Sequence, residues 1–142
     1  MPSADPSSHP RTECRVRVYY EDTDAGGVVY YANYLRFIER GRTEWLRAIG
    51  YDQHRLMADS SVVFAVRSLR AEYLLPARLD DELNVLTALE SMGRAQLAFA
   101  QSIRCDGAIL FEAGVRIACL DSRKMKPAPI PKDILEKIKS WK

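Results

Sequence analysis

The chain is poor in the residues that build metal and redox sites. It has two histidines, His9 and His54, and three cysteines, Cys14, Cys105 and Cys119. The cysteine count is odd and no C-x-x-C pair occurs, so neither a secreted disulfide framework nor a zinc motif is indicated. We therefore expect free thiols in a reducing cytoplasm, with no metal and no redox cofactor.

Long apolar runs and an excess of one charge are also missing. No segment approaches the roughly 18–20 apolar residues that a membrane-spanning helix needs, so no transmembrane segment is expected. The 21 basic residues nearly balance the 19 acidic ones, whereas nucleic-acid binding needs a strongly basic face. We therefore expect a cytoplasmic protein that does not bind nucleic acid.

The length of 142 residues suits one domain. Residues 1–12 are polar and rich in proline and serine, which predicts a disordered tail and not a secretory signal. Residues 13–142 carry the regular hydrophobic patterns, so we assign them to a single domain.

A long helix is predicted over residues 33–50, where apolar residues recur at three- and four-residue steps. Asn33 suits the N-cap, and Gly50 suits the position after the helix. Gly41 lies in the middle and costs about 1 kcal/mol of helix propensity relative to alanine. It indicates a close approach to another backbone.

Strands are predicted on both sides of this helix. Over residues 14–20 the alternation places Val16, Val18 and Tyr20 on one face. Further strands are predicted at 61–75, 83–89, 97–103 and 109–120, after a short helix at 51–58 and before another at 132–142. The order predicts an α+β fold with one long helix on a curled antiparallel sheet. Because such a sheet leaves an edge open, we expect an oligomer.

An acidic loop precedes the long helix. Glu21, Asp22 and Asp24 stand beside Gly26 and Gly27. A helix N-terminus offers unpaired N–H groups and a partial positive charge, which can hold the oxygen of a polarised carbonyl. A carboxylate on the same turn suits attack of water on an acyl group, although the spacing alone favours an ordinary capped loop. G-x-S-x-G, P-loop and G-x-G-x-x-G motifs do not occur.

This segment contains Y-Y-E-D-T-D-A-G-G-V-V-Y-Y-A-N-Y followed by E-R-G-R-T-E-W-L-R, and L-D-S-R-K-M-K-P comes later. Over residues 14–132 the chain resembles the 4-hydroxybenzoyl-CoA thioesterase branch of the hotdog superfamily, and within it the Tol-Pal-associated (YbgC-type) acyl-CoA thioesterases. The resemblance implies the hotdog fold, a five-stranded antiparallel sheet curled around one long central helix. It also implies dimers that pair their sheets edge to edge, active sites at the dimer interface, and frequent tetramers.

The implied activity is hydrolysis of an acyl-CoA thioester to free acid and coenzyme A. The family's catalytic aspartate falls on Asp24, as general base or nucleophile. Tyr31 stands where many Tol-Pal-associated members have histidine, so it resembles the hydroxybenzoyl-CoA enzymes, whose tyrosine binds the thioester oxygen through its backbone N–H. Tyr20 either hydrogen-bonds Asp24 or packs, and Asp22 is expected to be a structural cap. Glu39 is a rival base, because another hotdog branch places its carboxylate on the central helix.

Arg123, Lys124 and Lys126 match the phosphates of coenzyme A. The same cluster could meet acyl carrier protein, phospholipid-synthesis enzymes or the anionic surface of the inner membrane. Two alternatives stay open. One is a hydratase or dehydratase, which usually pairs histidine with an acid, and it is disfavoured because His54 lies outside the acidic loop. The other is a non-catalytic acyl-thioester-binding or scaffold subunit of the cell-envelope or phospholipid machinery. The acyl group itself is not predicted.

Overall fold

The computed structural model describes residues 9–141, apart from the side chain of Gln53. Its strands and helices confirm the α+β prediction. In chain order they are β1 (Arg11–Arg17), α1 (Asn33–Ala48), α2 (Gln53–Ser60), β2 (Val62–Tyr73), β3 (Glu82–Met92), β4 (Gln96–Cys105), β5 (Ala108–Asp121) and α3 (Lys132–Lys139).

The five strands form one antiparallel sheet in the order β1-β3-β4-β5-β2. Strands β1 and β2 are therefore its two edges. Helix α1 packs against β1, β3 and β4, and α2 lies on β2. The sheet curls around α1, as the hotdog fold requires.

Helix α1 buries one continuous face against the sheet: Tyr34, Phe37, Ile38, Gly41, Trp45 and Leu46. At Gly41 the close approach is to side chains of the sheet, not to a backbone as predicted. Gln101 lies just beneath, where its amide nitrogen donates to the Ile38 carbonyl and to Thr87 Oγ1, both at 2.8 Å. Its oxygen accepts from the Arg42 guanidinium at 3.0 Å. The buried side chain of Gln101 is thus hydrogen-bonded both to helix α1 and to Thr87 of the sheet.

The two ends of α1 differ in how well the sequence predicts them. Gly50 has φ +100° and donates to the Arg47 carbonyl, while the Tyr51 N–H donates to the Leu46 carbonyl. This pair of bonds is a Schellman motif and confirms the role of Gly50. Asn33 is not the N-cap, because it already lies within the helix and its side chain bonds elsewhere. Within residues 9–141, no helix is both long and apolar enough to cross a membrane.

The N-terminal segment joins the fold earlier than predicted. His9 and Pro10 are buried, and β1 already begins at Arg11. The Pro10 carbonyl accepts from the Trp45 indole N–H at 2.9 Å and from the Leu89 N–H at 3.2 Å. The predicted tail is therefore wrong for residues 9–12. Its remainder, residues 1–8, lies outside the described residues.

Candidate active site

The acidic loop folds into a small hairpin between β1 and α1. Thr23 and Val29 form an antiparallel bridge. The Asp24 N–H donates to the Val28 carbonyl at 2.9 Å, and the Gly27 N–H donates to the Asp24 carbonyl at 3.1 Å. Gly27 has φ +79°, a backbone conformation that glycine adopts without strain. The hairpin therefore holds Asp24 by its own backbone on both sides.

The carboxylate of Asp24 is exposed and only half engaged. Its Oδ1 accepts from the Gly26 N–H at 2.8 Å, whereas Oδ2 has no partner within the described part of the chain. A β-carbon on residue 26 would lie 3.2 Å from Oδ1, so glycine leaves room for this contact. The arrangement fixes one oxygen and leaves the other open to a reactant.

Asp22 ties the hairpin to the start of the helix. Its Oδ2 accepts from the Tyr19 N–H at 2.9 Å, which confirms the predicted structural cap. Its backbone carbonyl accepts from the Tyr30 N–H at 2.9 Å and from the Asn33 side chain at 3.0 Å. Asn33 thus anchors the loop instead of capping the helix.

Tyr20 does not lie where the strand pattern predicts. Val16 and Val18 are buried, but the chain then leaves the strand and turns through a 3-10 helix at Tyr20–Asp22. Tyr20 is consequently 82% exposed, and the predicted shared face is wrong. Among the hydrogen bonds of residues 9–141, none joins its hydroxyl to Asp24. Its carbonyl instead accepts from the Thr23 hydroxyl at 2.7 Å.

Tyr31 and Ala32 occupy the centre of a turn directly before α1. The turn is closed by the Asn33 N–H, which donates to the Tyr30 carbonyl at 2.8 Å. Neither the Tyr31 nor the Ala32 N–H is used by any hydrogen bond of the described residues. These free N–H groups lie at the positive end of the helix, where an oxyanion is stabilised.

The phenol rings of Tyr30 and Tyr31 lie side by side over this turn, with centroids 4.8 Å apart. The Tyr30 hydroxyl donates a hydrogen bond to that of Tyr31, and this bond, followed by the charge of Tyr31 when it ionises, raises the pKa of Tyr30. Tyr31 remains 63% exposed. Its ring is therefore free to change without disturbing the core.

The connection between β2 and β3 completes the site, and the sequence gives no signal of it. The Tyr73 hydroxyl donates to the Tyr31 carbonyl at 2.9 Å. Ala77 is held on both sides, because its N–H donates to the Tyr34 hydroxyl at 2.9 Å and its carbonyl accepts from the Val29 N–H at 2.8 Å. These contacts span more than 40 residues, so no local spacing predicts them.

Glu39, the rival base, lies exposed on α1 at the mouth of a cavity of about 310 Å³. Among the salt bridges of residues 9–141, none joins Glu39 to Arg36 or Arg42. Desolvation lowers the pKa of Arg42, and the charge of Glu39 opposes that effect. The cavity lies between α1 and strands β2, β4 and β5, and its walls include Trp45, Leu46, Phe64, Val66, Leu97, Phe99 and Ile117.

Arg123, Lys124 and Lys126 form an exposed turn after β5, here called the basic turn. Asp121 shapes it by accepting the Arg123 and Lys124 N–H groups at 2.9 and 2.8 Å. The Lys124 N–H bond, followed by that of Arg123, lowers the pKa of Asp121.

Within one chain the structure does not bring the basic turn and Asp24 together. Asp121 pairs with Val62 at the start of β2, whereas Tyr73 at the end of β2 contacts Tyr31, in the turn that follows the Asp24 hairpin. Twelve residues of strand separate the two ends, or roughly 35 Å at about 3.3 Å per residue. The basic turn and the Asp24 hairpin therefore lie near opposite ends of β2.

Comparison with known proteins gives the chain close relatives. Residues 18–138 match the family described as the thioesterase-like superfamily. The chain is 50% identical over 125 residues to the acyl-CoA thioester hydrolase YbgC of Escherichia coli O6:H1, covering 87% of this chain and 92% of that protein. It is 45% identical over 119 residues to the acyl-CoA thioesterase YbgC of Haemophilus influenzae, covering 84% and 88%. A solved structure of a probable thioesterase from Bartonella henselae matches with a TM-score of 0.82 at 34% identity, covering 85% and 99%.

Proposed function

The chain belongs to the thioesterase-like superfamily, and we propose that it hydrolyses an acyl-CoA thioester to a free acid and coenzyme A at the Asp24 loop. One observation carries the assignment of the site. The loop presents an open carboxylate oxygen on Asp24, and the turn that leads from it into α1 presents two free N–H groups, those of Tyr31 and Ala32.

In the proposed reaction, the thioester oxygen accepts from the Tyr31 N–H, aided by the Ala32 N–H, as negative charge develops. Asp24 removes a proton from water while the water oxygen attacks the carbonyl carbon. The carbon–sulfur bond breaks, and the proton held by Asp24 passes to the departing thiolate. In the alternative route the carboxylate attacks the carbonyl carbon and the thiolate leaves. Water then hydrolyses the mixed anhydride to the free acid and the Asp24 carboxylate, and the proton released goes to the thiolate.

We propose further that two chains pair through the free edge of β2. This edge strand is twelve residues long and exposes Val66 and Leu69. An uncovered strand of this length is a ready template for a second copy. Antiparallel pairing about the middle of β2 sets the start of one strand beside the end of the other. The basic turn of one subunit then lies near Asp24 of its partner.

This pairing gives Arg123, Lys124 and Lys126 the role of binding the coenzyme phosphates across the interface, since guanidinium and ammonium groups suit phosphate. The cavity lined by Phe64 and Val66 lies at the first half of β2, the half that is nearer to the basic turn. Its largely apolar wall suits an acyl chain whose thioester is cleaved by the other subunit.

Release of coenzyme A thiol, measured across short, long and aromatic acyl-CoA substrates, tests the activity and identifies the acyl group. Multiple turnovers with at least one class are expected. Binding without thiol release by any of them would show a non-catalytic acyl-thioester-binding subunit instead.

Mixed dimers test whether the site is shared between subunits. One chain carries Asp24→Asn, and the other carries alanine at Arg123, Lys124 and Lys126. Each homodimer is impaired, the second through a KM raised about tenfold by the lost charge-assisted contacts. A shared site restores one intact site per mixed dimer, with the wild-type KM and half the wild-type kcat. If the basic turn instead binds the coenzyme at the active site of its own chain, the KM of the mixed dimer stays high.

A further inference from the structure

Tyr73 is the last residue of β2, and its side chain reaches from the sheet to the turn before α1. Its ring packs edge-on against Phe111 and Tyr34, with centroid distances of 5.0 and 5.2 Å. Both of these neighbours are buried, and they stack on each other at 5.3 Å. The position of the Tyr73 hydroxyl is therefore set by the rigid core.

The hydroxyl of Tyr73 donates to the Tyr31 carbonyl at 2.9 Å. In a trans peptide the carbonyl and the following N–H lie in one plane and point in opposite directions. Holding the Tyr31 carbonyl therefore fixes the direction of the Ala32 N–H. It also restrains the ψ angle of Tyr31, one of the two torsions that set the angle between the two free N–H groups.

Two independent contacts hold the other side of this turn. The Tyr30 N–H donates to the Asp22 carbonyl, and the Asn33 N–H closes the turn on the Tyr30 carbonyl. These bonds use the outer residues of the turn and leave the central peptide unrestrained. Among the described residues, Tyr73 is the side chain that bonds to that central peptide.

We propose that Tyr73 is a positioning residue for thioester hydrolysis, which holds the Tyr31–Ala32 peptide so that both free N–H groups converge on the thioester oxygen. The inference rests on the proposed function, since it assigns Tyr73 a task only if those N–H groups bind that oxygen. Preorganised donors stabilise a transition state because they need no reorientation as charge develops.

The chemistry of the hydroxyl fits this task. Desolvation, with the neighbouring Tyr31 and Tyr34, raises the pKa of Tyr73. The group therefore stays protonated, and remains a donor, throughout the neutral and mildly alkaline range. Tyr73 touches the backbone of Tyr31 and so acts through another residue, not on the reacting atoms.

The test replaces Tyr73 by phenylalanine, which keeps the ring and its packing but removes the donor. We expect kcat to fall about tenfold. Loss of an oxyanion donor itself costs more, about 10²–10³-fold in kcat. KM should stay within about twofold, and the thermal midpoint should be nearly unchanged. Tyr51→Phe is the matched control, because its hydroxyl also donates a 2.8 Å bond, to Asp133, remote from the loop.

A spectroscopic measurement separates positioning from a purely structural effect. The probe is a ketone analogue of the best acyl-CoA substrate, in which a methylene group replaces the sulfur and the carbonyl carbon is ¹³C. Bound to the wild-type protein, its carbonyl band should shift to lower frequency because it accepts two hydrogen bonds. Bound to Tyr73→Phe, the shift should be smaller and the band broader.

Two results would overturn the inference, and they are distinguishable. If Tyr73→Phe gives the wild-type band and the wild-type kcat, the positioning role is wrong while the proposed active site stands. If the carbonyl band of the analogue does not shift on binding to the wild-type protein, the proposed oxyanion site is wrong, and the proposed role of Tyr73 is then wrong too.

Discussion

Gly41 of helix α1 packs directly against Thr87 of strand β3. A β-carbon on residue 41 would lie 2.6 Å from Thr87 Oγ1 and 2.9 Å from Val85 Cγ1. Such distances are too short for unbonded atoms, so the helix rests on the sheet at the one residue that has no side chain. The same Oγ1 accepts from Gln101, which fixes it in place.

Gly41→Ala should therefore destabilise the protein. Alanine gains about 1 kcal/mol of helix propensity, but overpacking costs typically about 1–3 kcal/mol and disturbs the Gln101 hydrogen bonds. Urea unfolding should show a net loss of about 1–2 kcal/mol. Gly93→Ala is the control, since no atom lies within 4 Å of a β-carbon there. Unchanged stability in Gly41→Ala would contradict the close contact.

Asp24→Asn should remove most hydrolysis and keep the fold. The asparagine oxygen still accepts from the Gly26 N–H, but the amide neither takes a proton nor attacks carbon. We expect kcat to fall by about 10²–10⁴-fold, measured by thiol release, with an unchanged thermal midpoint. Glu21→Gln removes an exposed charge from the same loop and should leave kcat within about twofold. Near wild-type turnover in Asp24→Asn would rule out this residue as base or nucleophile.

Three substitutions at Tyr31 separate its backbone from its phenol. Tyr31→Phe should change kcat little, and Tyr31→His should be tolerated, because both keep the N–H. Tyr31→Pro should lower kcat by about 10²–10³-fold, while proline suits the second position of such a turn. Circular dichroism checks that the proline variant folds. If Tyr31→Phe proves as damaged as Asp24→Asn, the phenol itself takes part in the reaction.

The helix and the sheet could be predicted because their signals are local. Apolar spacing gives α1, and Gly50 marks its end through a Schellman motif that spans six residues. Tyr20 is mispredicted because the alternation of apolar and polar residues continues in the sequence for two residues after the backbone has left the strand. Tyr73 carries no signal at all, since its bond to Tyr31 joins residues 42 positions apart.

The free edge of β2 predicts at least a dimer at micromolar concentration. Sedimentation velocity should show it, and a monomer would contradict the shared site. Replacing both Val66 and Leu69 by lysine should dissociate the dimer, because charge on an edge strand blocks pairing. Activity should be lost together with assembly. Thr12→Lys, on the opposite edge strand, should leave both unchanged.

Cys119 should resist alkylation in the native protein. Its side chain is fully buried, and desolvation raises the pKa of its thiol to about 11. At pH 8 the reactive thiolate is therefore scarce and shielded. Peptide mass spectrometry after iodoacetamide treatment should find Cys119 unmodified until urea is added, whereas the partly exposed Cys105 should react first. Equal labelling of the two would contradict this placement.

The contacts of Ala77 determine the order in which the site can assemble. The Asp24 hairpin, through Val29, and the first turn of α1, through Tyr34, both bond to Ala77, which follows the hairpin by about 50 residues along the chain. A nascent chain that ends before Ala77 lacks both of these bonds, and it also lacks Phe111, which packs against Tyr73. Such a chain can form helix α1, but the Tyr31–Ala32 peptide is not yet held in place. Helical signal should therefore return before activity during refolding, and the gain of turnover marks the docking of the β2–β3 connection.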